Sequence, residues 1–389
     1  MFFRPTRKAP SAAKYTGPVR SVCLCVALVT ASLTVGCANA ADVEDVAPKL
    51  KPAAGYKVSA LADGLSDARL MTLTSVGDVI VSLRGPGRVV LLPLNKSDES
   101  ALAGEPITLV QGLRRPHGLM IDGGYLYIAA ETQVLRYNFD AVKRAVTGKA
   151  EIVLDGMPSG GHSTRTIRKG PDGAYYVSVG SSCNVCIEDH KWRAALLRFT
   201  PGETPTVFAT GLRNTVGYDW HPKTQALYSV DNGRDWLGDD EPPGEVNLIT
   251  KNGFYGWPFF NGDNALDPDF GAKYNEARHG KALAPVHKFT AHVAALSLRF
   301  LTPKPDNETI SALVGQHGSW NRSKKSGYKV VRLDIASDGS LTQSDFLTGF
   351  LQGQTVIGRP VDTLELSDGR ILVTDDRNGI VWQMTPEGS

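Results

Sequence analysis

The sequence predicts an all-β fold, a six-bladed β-propeller built from four-stranded antiparallel blades. The first observation is a cassette that occurs six times: a Gly-Leu-like start, a turn and a short apolar strand. The first four cassettes start at residues 64, 112, 161 and 211, and a repeat of about 50 residues with short strands is typical of propellers. The second observation is the composition, because 40 glycines and 23 prolines suit many short strands joined by turns. No long segment shows helical periodicity.

The apolar run of each cassette predicts one strand per blade. These runs are residues 78–82, 125–129, 175–177, 226–230, 311–314 and 370–374. The fifth cassette starts near residue 294 and the sixth at Gly358. The interval between the fourth and fifth starts is too long for one blade, which predicts a loop insertion at about 231–292. No linker divides the chain, so residues 41–389 are predicted to form a single propeller domain.

The first 40 residues are predicted to be a signal peptide rather than part of the fold. Five cations precede an apolar run at 22–36 that is too short for a membrane span: Arg4, Arg7, Lys8, Lys14 and Arg20. Ala38-Asn39-Ala40 is a small-x-small cleavage site, so the mature chain is expected to begin at Ala41. The alternative is a lipoprotein box ending at Cys37, which would carry a lipid anchor. Both interpretations predict export, to the periplasm or out of the cell.

Removal of this segment changes the charge and the cysteine count. The formal net charge falls from +2 to −3, and no basic tract remains that would bind nucleic acid. Only Cys183 and Cys186 remain, and in an oxidising compartment this pair predicts a local disulfide. A Cys-x-x-Cys pair is also half of a zinc site, but there is no second pair. No histidine follows it directly, which excludes c-type haem attachment.

An acidic loop is the densest group of polar residues in the predicted insertion. Six carboxylates lie between residues 231 and 245, among glycines and two adjacent prolines. Calcium takes six to eight oxygen ligands, commonly including backbone carbonyls, and an irregular loop can supply them. The loop therefore predicts a calcium site. The alternative is an acidic loop that is simply solvated.

Polar side chains also gather at the cassette starts and in one later loop. Equivalent positions of different blades converge at one end of a propeller channel, so these residues are expected to face one ligand. They are His162, Arg213, Asn214, Asn321, Arg322 and Arg359. Several cations without matching acids predict an anionic ligand, because arginine pairs well with carboxylates. Taken alone, His162 is more simply interpreted as a histidine that caps its loop by hydrogen bonding, and the rest of the chain favours the ligand site.

Five segments together resemble the soluble quinoprotein sugar dehydrogenases, most closely the sorbosone dehydrogenase-like branch. The segments are GGHSTRTIRKGPDGAYYVSVGSSCNVC, GLRNTVGYDWHP, SVDNGRD followed by GDDEPPGEVNLI, NGFYGWP, and GQHGSWNRSKKSGYKVVRLDI. The resemblance covers about residues 50–386. It implies a six-bladed propeller that binds pyrroloquinoline quinone (PQQ) and Ca²⁺. The implied reaction is oxidation of a sugar hydroxyl or hydrated aldehyde by hydride transfer to the quinone.

The resemblance also implies roles for individual residues at the cofactor. His162 would be the general base that removes the substrate hydroxyl proton, a task that suits an imidazole. Arg213 and Asn214 would bind the quinone oxygens, where negative charge grows during the reaction. Arg359 would pair with a cofactor carboxylate. No haem motif is present, so electrons are expected to pass to an external acceptor.

Two metal sites are implied in the same way. The backbone carbonyls of Gly233 and Arg234 would hold the Ca²⁺ that bridges to the cofactor. Glu245 and the carbonyl of Tyr255 would belong to a second, structural Ca²⁺ site. One departure concerns the first site, because Arg234 stands where glucose-oxidising members carry a proline.

Two other functions are compatible with a propeller. The first is a calcium-dependent lactonase-type hydrolase, which needs carboxylates directed into the channel from several blades. The second is a non-catalytic propeller that binds a ligand through its loops. The arginines and amides at the cassette starts favour a bound anion over the hydrolase. The single histidine among them favours catalysis over simple binding.

Overall fold

The computed structural model describes residues 42–94, 102–304 and 308–388. The predicted signal peptide, its cleavage site and Cys37 lie outside these residues. The described chain begins with a four-residue helix, α1 (Val43–Val46), and a short 3₁₀ helix (Ala47–Lys49). Strands make up nearly all of the remaining regular structure. None of the helices in the described ranges has the length and apolar character needed to span a bilayer.

Six four-stranded antiparallel blades form a β-propeller, which confirms the predicted fold class. Two strands come before the first blade in the sequence, β1 (Lys51–Pro52) and β2 (Tyr56–Ala62), and both pair with blades later in the chain. The first blade contains β3 (Ala68–Leu73), β4 (Val79–Leu83), β5 (Arg88–Leu92) and β6 (Ile107–Val110). The second contains β7 (Gly118–Asp122), β8 (Tyr125–Ala129), β9 (Val134–Asp140) and β10 (Ala145–Leu154). The third contains β11 (Ile167–Lys169), β12 (Tyr175–Val179), β13 (Ala195–Phe199) and β14 (Thr206–Thr210).

The other three blades carry additional elements. The fourth contains β15 (Tyr218–Trp220), β16 (Leu227–Asp231), β17 (Gly244–Ile249) and β20 (His287–Phe289). Between β17 and β20 the chain forms a separate hairpin of β18 (Phe260–Asn261) and β19 (Ala265–Leu266). The fifth contains β21 (Arg299–Phe300), β22 (Ile310–Gln316), β23 (Lys329–Ile335) and β24 (Leu341–Thr348), with β1 added at its edge. After the hairpin β25 (Leu351–Gln352) and β26 (Thr355–Val356), the sixth contains β27 (Pro360–Glu365), β28 (Ile371–Asp375) and β29 (Ile380–Pro386).

The N-terminal strand β2 supplies the fourth strand of the last blade. It pairs antiparallel with β29, so that Tyr56 lies opposite Pro386 and Ala60 opposite Trp382. The sixth blade is therefore assembled from both ends of the described chain. This closure couples the two ends of the ring, because neither end can separate without breaking a strand ladder.

The apolar runs used to predict the blades are their second strands. All residues of β4, β16 and β28 are buried, because each blade is covered on both faces by its neighbours. A strand buried on both faces reads as a continuous apolar run rather than as alternation. This is why each cassette could be located from its apolar run.

The segment predicted as an insertion contains two strands of the fourth blade. β17 and β20 both lie within residues 231–292, and β17 pairs with β16 and with β20. The additional chain is divided between residues 232–243 and residues 250–286. The second piece holds the β18–β19 hairpin, a 3₁₀ helix (Gly271–Lys273) and α2 (Glu276–His279). The acidic loop between β16 and β17 is therefore held at both ends by paired strands.

Trp382 is the largest fully buried side chain and packs between the last two blades. The apolar cluster that contains Trp382 also includes Leu313 and Phe346 from the fifth blade and Val373 from the sixth. We expect Trp382→Ala to lower the free energy of unfolding by about 3–5 kcal/mol, because it removes buried apolar surface and leaves a cavity. Urea unfolding measures the change.

The matched control is Val142→Ala, at a side chain that is 81% exposed. It should change the free energy of unfolding by less than about 0.5 kcal/mol. Equal unfolding midpoints for the two variants would contradict the packing described for the junction of the fifth and sixth blades.

Candidate active site

A cavity of about 190 Å³ lies where the loops of the third, fourth and fifth blades meet. Its lining comes from residues just before the first strand of a blade and just after the second. We call it the central cavity. It is lined by His162, Arg213, Asn214, Asn232, Gly233, Asp235, Gly244, His292, Val293, Ala294, Leu296 and Trp320. Four of the predicted site residues are therefore together in one place.

The hydrogen bonds of His162 define which ring nitrogen carries the proton. Nδ1 lies 2.8 Å from Ser181 Oγ and 3.2 Å from the Ser181 carbonyl oxygen. The Ser181 hydroxyl donates its own proton to the Cys183 carbonyl at 2.7 Å, so its oxygen is left to accept. Both groups facing Nδ1 are then acceptors, which assigns the proton to Nδ1. Nε2 keeps its lone pair and contacts no donor among the described residues.

The surroundings of His162 keep it neutral. Burial, followed by the charge of Arg213, lowers its pKa from 6.5 to about 4, and the Ser181 carbonyl only partly offsets this. Arg193 and Arg165 lower the pKa further. At neutral pH the imidazole therefore has one free lone pair and no charge, which is the form that a general base requires.

Two buried arginines fix the loop that carries His162. Arg165 donates from Nη1 to the carbonyls of His162 at 2.9 Å and Thr164 at 2.7 Å. Arg193 donates to the carbonyls of Gly160 and Gly180, at 3.0 and 3.2 Å. These bonds satisfy loop carbonyls that no strand pairs with. The position of His162 is therefore set by side chains on its own blade.

Gly180 allows the close approach of the third and fourth blades at this point. A Cβ atom on Gly180 would lie 2.6 Å from the His162 Cβ and 3.0 Å from Asn214 Oδ1. Any larger residue would push these two side chains apart. The glycine is therefore part of the arrangement of the cavity wall.

Arg213 lies in the cavity wall, but most of its donors are already used. Nε donates to the Asn184 carbonyl at 2.8 Å, and Nη2 to Asn184 Oδ1 at 2.9 Å and Asp235 Oδ2 at 3.5 Å. Nη1 donates to the Asn232 carbonyl at 3.0 Å. A guanidinium has five N–H groups, so one, on Nη1, remains for a ligand. Arg213 is first of all a bridge between loops.

Asp231 organises the backbone beneath Arg213. Its carboxylate accepts from the backbone N–H groups of Arg213 and Asn214 at 2.9 and 2.8 Å, and from Thr215 Oγ1 at 3.0 Å. Burial raises the pKa of Asp231 to about 6. The side-chain amide of Asn214, by contrast, makes no hydrogen bond within the described chain. It is available to a ligand in the cavity.

The disulfide between Cys183 and Cys186 is present, as predicted. It closes the loop whose Asn184 accepts from Arg213 and whose Cys183 carbonyl accepts from Ser181. The disulfide therefore restrains two residues of the cavity wall. It acts on His162 through Ser181 and on Arg213 through Asn184. Cys183, Cys186 and Glu188 are the one close group of metal-ligand side chains in the described ranges, and its cysteines are oxidised.

The acidic loop does not gather its carboxylates around one point. Arg322 donates to the Asp239 carbonyl and, at 2.8 Å, to Asp240 Oδ1. Asp235 faces Arg213, and Asp239 Oδ1 accepts from the Ser323 backbone N–H at 2.9 Å. The loop is held by the Arg322 guanidinium and by a backbone N–H group. Its carboxylates therefore point to different partners and do not converge on one position where they could all bind the same Ca²⁺.

Backbone carbonyls remain in this loop for a cation. The carbonyls of Gly233 and Arg234 accept no hydrogen bond from the described residues. Gly233 lines the cavity. The Arg234 side chain instead forms a buried ion pair with Asp267 at 2.9 Å and contacts Asp269 at 2.9 Å. Only its backbone can take part in the predicted site.

Glu245 has a partly buried carboxyl group that forms no ion pair with the described residues. It accepts from Asn247 Nδ2 and the Gly262 N–H, both at 3.1 Å, and lies opposite Asp231 across the β16–β17 ladder. Burial and then the charge of Asp231 raise its pKa to about 8. No contact within the described chain joins it to Tyr255, whose hydroxyl donates to the Leu248 carbonyl.

Arg322, Asn321 and Arg359 do not line the central cavity. Arg322 binds the acidic loop as described. The Asn321 Nδ2 atom is buried and has no partner among the described residues. Arg359 donates to the carbonyls of His317 at 3.1 Å and Gly318 at 3.2 Å, so it supports the loop that leads to Trp320.

Comparison with known proteins identifies the family. A family model described as TrAA12-like matches residues 50–252, and one described as Glucose / Sorbosone dehydrogenase matches residues 197–348. An uncharacterized protein of Borreliella burgdorferi is 30% identical over 360 residues, which is 88% of this chain and 92% of that protein. The chain belongs to the TrAA12-like family. The resemblance to soluble quinoprotein sugar dehydrogenases is thereby confirmed at the level of the family.

Two further relatives carry names that bear on the cofactor and the fold. The pyrroloquinoline quinone-dependent pyranose dehydrogenase of Coprinopsis cinerea is 25% identical over 406 residues, which is 86% of this chain and 54% of that enzyme. A calcium structure of the Trichoderma reesei family AA12 enzyme has a TM-score of 0.75 and 23% identity, covering 90% of this chain and 100% of that one. The structural match shows that the two proteins share the propeller fold.

The residues of the cavity fit a quinone cofactor rich in oxygen atoms. The free amide of Asn214 and one Nη1 donor of Arg213 line the cavity and have no acceptor among the described residues. The free carbonyls of Gly233 and Arg234 are hard oxygen donors, which are the ligands that Ca²⁺ prefers. Unpaired buried donors cost free energy, so an acceptor that satisfies them is favoured.

Sequence reasoning missed several residues of the cavity. Asn232 donates to the carbonyls of Asn214 and Ala295 at 3.1 and 2.9 Å, and joins the fourth blade to the fifth. His292 donates from Nε2 to the Gly238 carbonyl at 2.9 Å, with Asp235 on its other side. His292 and Trp320 lie in loops, where no cassette start marks them. Asn232 lies two residues after the predicted strand at 226–230, in a loop that the sequence did single out for its acidic residues.

We expect ¹⁵N spectra of the histidines to show His162 as the neutral Nδ1–H tautomer from pH 8 down to about pH 5. Its pKa is lowered, so protonation begins only as the pH falls towards about 4. The group therefore stabilises the fold above pH 6.5, and this contribution is lost as the pH falls below that value. Arg213→Gln should raise the pKa, because it removes a neighbouring positive charge. An inflection near pH 6.5 in the unmodified protein would contradict the proposed surroundings.

Proposed function

We propose that this protein is an exported, PQQ-dependent sugar dehydrogenase. It would oxidise a sugar hydroxyl, or a hydrated aldehyde of the aldose or sorbosone type. The observation that carries the proposal is a neutral His162 in the cavity wall, whose Nε2 has no hydrogen-bond partner among the described residues, next to the unused donors of Arg213 and Asn214. Membership of the TrAA12-like family and relatives named for PQQ and sugars support it.

His162 acts on the substrate hydroxyl. Its Nε2 accepts the hydroxyl proton, and Nδ1–H remains bound to Ser181, so the ring keeps its orientation as it becomes an imidazolium. The bound cofactor supplies a two-electron acceptor for the hydride that leaves the same carbon. Loss of one proton and one hydride leaves a carbonyl group or, from a hydrated aldehyde, a carboxyl group.

The other residues bind and orient. The remaining Nη1 donor of Arg213 and the Asn214 amide are placed to bind cofactor oxygens, where a fixed positive charge favours growing negative charge. Asn321, which lies outside the cavity lining, is proposed to bind a part of the cofactor that extends beyond it, through its buried Nδ2. The guanidinium of Arg359 is proposed to form an ion pair with a cofactor carboxylate. Arg322 is proposed to hold the acidic loop that borders the cavity.

Calcium is proposed at the free carbonyls of Gly233 and Arg234. A cation there would be close to the Asp235 carboxylate, which shares the cavity wall with Gly233. A second, structural Ca²⁺ is proposed near Glu245, with the Tyr255 carbonyl as an expected ligand. Glu245 supports this site because its partly buried carboxyl group accepts hydrogen bonds from two neutral donors, and a nearby cation would favour its ionised form.

Export and electron transfer complete the proposal. A signal segment at 1–40 would direct the chain to the periplasm or out of the cell, where the Cys183–Cys186 disulfide is stable. An external electron acceptor would reoxidise the cofactor. The proposed partners are a small sugar and this acceptor, and nucleic acid is not among them.

We expect His162→Gln to lower kcat by about a hundredfold to ten-thousandfold, because it removes the general base. The affinity for PQQ should change little, since the arginine and amide donors remain. Dye-linked turnover of a sugar panel measures kcat, and titration of the cofactor absorbance measures binding. The control is His190→Gln, because His190 is exposed, packs on Trp192 and lies outside the cavity. A His162→Gln enzyme with unchanged kcat per folded molecule would refute the mechanism.

Calcium should raise the melting temperature of the mature protein, because a ligand that binds only the native state stabilises it. Scanning calorimetry with CaCl₂, and after chelation and dialysis, measures the shift. Glu245→Gln should keep the fold and the hydrogen bond that its remaining oxygen accepts from the Gly262 N–H, but lose the part of the shift that comes from the second site. Identical melting curves with and without Ca²⁺ would contradict both metal sites.

A further inference from the structure

Two exposed tryptophans meet at the rim of the central cavity. Trp236 and Trp320 are 66% and 65% exposed, and their ring centroids are 5.2 Å apart at an interplanar angle of 81°. Trp320 also lines the cavity that holds His162. We call these two residues the tryptophan pair. Large apolar side chains with this exposure next to a cavity mark a binding surface.

The backbone of Trp236 is strained, and packing does not explain it. Its φ is +72°, in the left-handed region that a bulky residue rarely adopts. Asn or Gly would take this conformation with less strain. Because the side chain is mostly exposed, the fold gains little from burying it. A strained and exposed residue beside a cavity points to a function outside stability.

Both tryptophans are held by rigid loops. Trp236 follows Asp235, which binds Arg213, and precedes Gly238, whose carbonyl accepts from His292 Nε2. Trp320 lies between Ser319, which is bonded to Ser326, and Arg322. Arg322 joins the two loops by its bonds to Asp239 and Asp240. The relative position of the two rings is therefore fixed before a ligand binds.

We propose that the tryptophan pair is a subsite for a second pyranose ring, so that the preferred substrate is an oligosaccharide oxidised at one terminal unit. The proposal rests on the proposed sugar oxidation. A pyranose ring has a face of C–H groups that packs on an aromatic ring, while its hydroxyls stay in water. The unit being oxidised must reach His162, which is largely buried. The next unit of the same chain would extend outwards over Trp320, which belongs to both the cavity and the rim.

The first test compares turnover of glucose with that of cello- and malto-oligosaccharides of two to four units, using a small dye as acceptor. The unmodified enzyme should have a higher kcat/KM for the longer sugars. Trp320→Leu and Trp236→Leu should each reduce this preference by about fivefold to tenfold, mainly through KM. Trp320→Phe should keep most of it, because phenylalanine keeps a flat ring whereas leucine keeps only apolar area. The control is Leu266→Ala, which removes another exposed apolar side chain.

Trp236→Asn separates binding from folding. Asparagine tolerates the left-handed backbone, so the melting temperature should be retained while the preference for longer sugars falls. If this variant unfolds early and its preference is unchanged, the residue is structural and the proposal is wrong.

The second test does not depend on turnover. Cellotetraose and maltotetraose should shift the tryptophan emission of the cofactor-free mature chain to shorter wavelength, and Trp320→Leu should abolish the shift. A shift without turnover of any sugar would keep the subsite and refute the proposed function. Turnover with equal kcat/KM for short and long sugars, and no shift, would refute the subsite alone. If the leucine variants slow only reduction of a protein acceptor, the pair is a docking surface instead and the proposal fails.

Discussion

The buried guanidinium of Arg213 holds the candidate active site together. It joins the disulfide loop through Asn184 to the loop after β16 through Asn232 and Asp235. Its own backbone N–H is bound by Asp231, and its carbonyl accepts from the Ser181 N–H at 2.7 Å. One residue therefore connects three loops of two blades. Because a charge at this depth needs several partners, the surrounding loops have little freedom to move apart.

The same charge determines the chemistry of His162. A buried imidazole already favours its neutral form, and Arg213, Arg193 and Arg165 add positive charge nearby. Arg165 and Arg193 are also the residues that bind the carbonyls of the histidine loop. The groups that position the base are thus the groups that keep it unprotonated. Structural and catalytic roles cannot be separated by changing one of these arginines. His162→Gln is therefore the informative substitution, because it removes the base and leaves these arginines in place.

The sequence was sufficient for the fold and for the central part of the site. Buried second strands read as continuous apolar runs, so six blades could be counted, and residues at cassette starts such as His162 and Asn214 do meet. What it could not provide is how each side chain is used. From the sequence, Arg213 and Arg322 were both expected to be free to bind an anionic ligand. In the structure, Arg213 is bonded to Asn184 and Arg322 to the acidic loop. Pairing between loops distant in sequence leaves no local pattern, and His292 and Trp320 were missed for the same reason.

The insertion shows why a departure from a family motif need not alter a site. Arg234 stands where glucose-oxidising relatives were expected to have proline, and its side chain points into an ion pair with Asp267, which is almost fully buried. Asp267 also accepts from Asn261 and from the backbone of Asp269 and Phe270, so the pair anchors the insertion between β17 and β20. A metal bound by a backbone carbonyl does not depend on which side chain follows it. The substitution therefore changes what holds the loop, by replacing a rigid proline ring with a buried ion pair, while the carbonyl oxygen proposed as a ligand is retained.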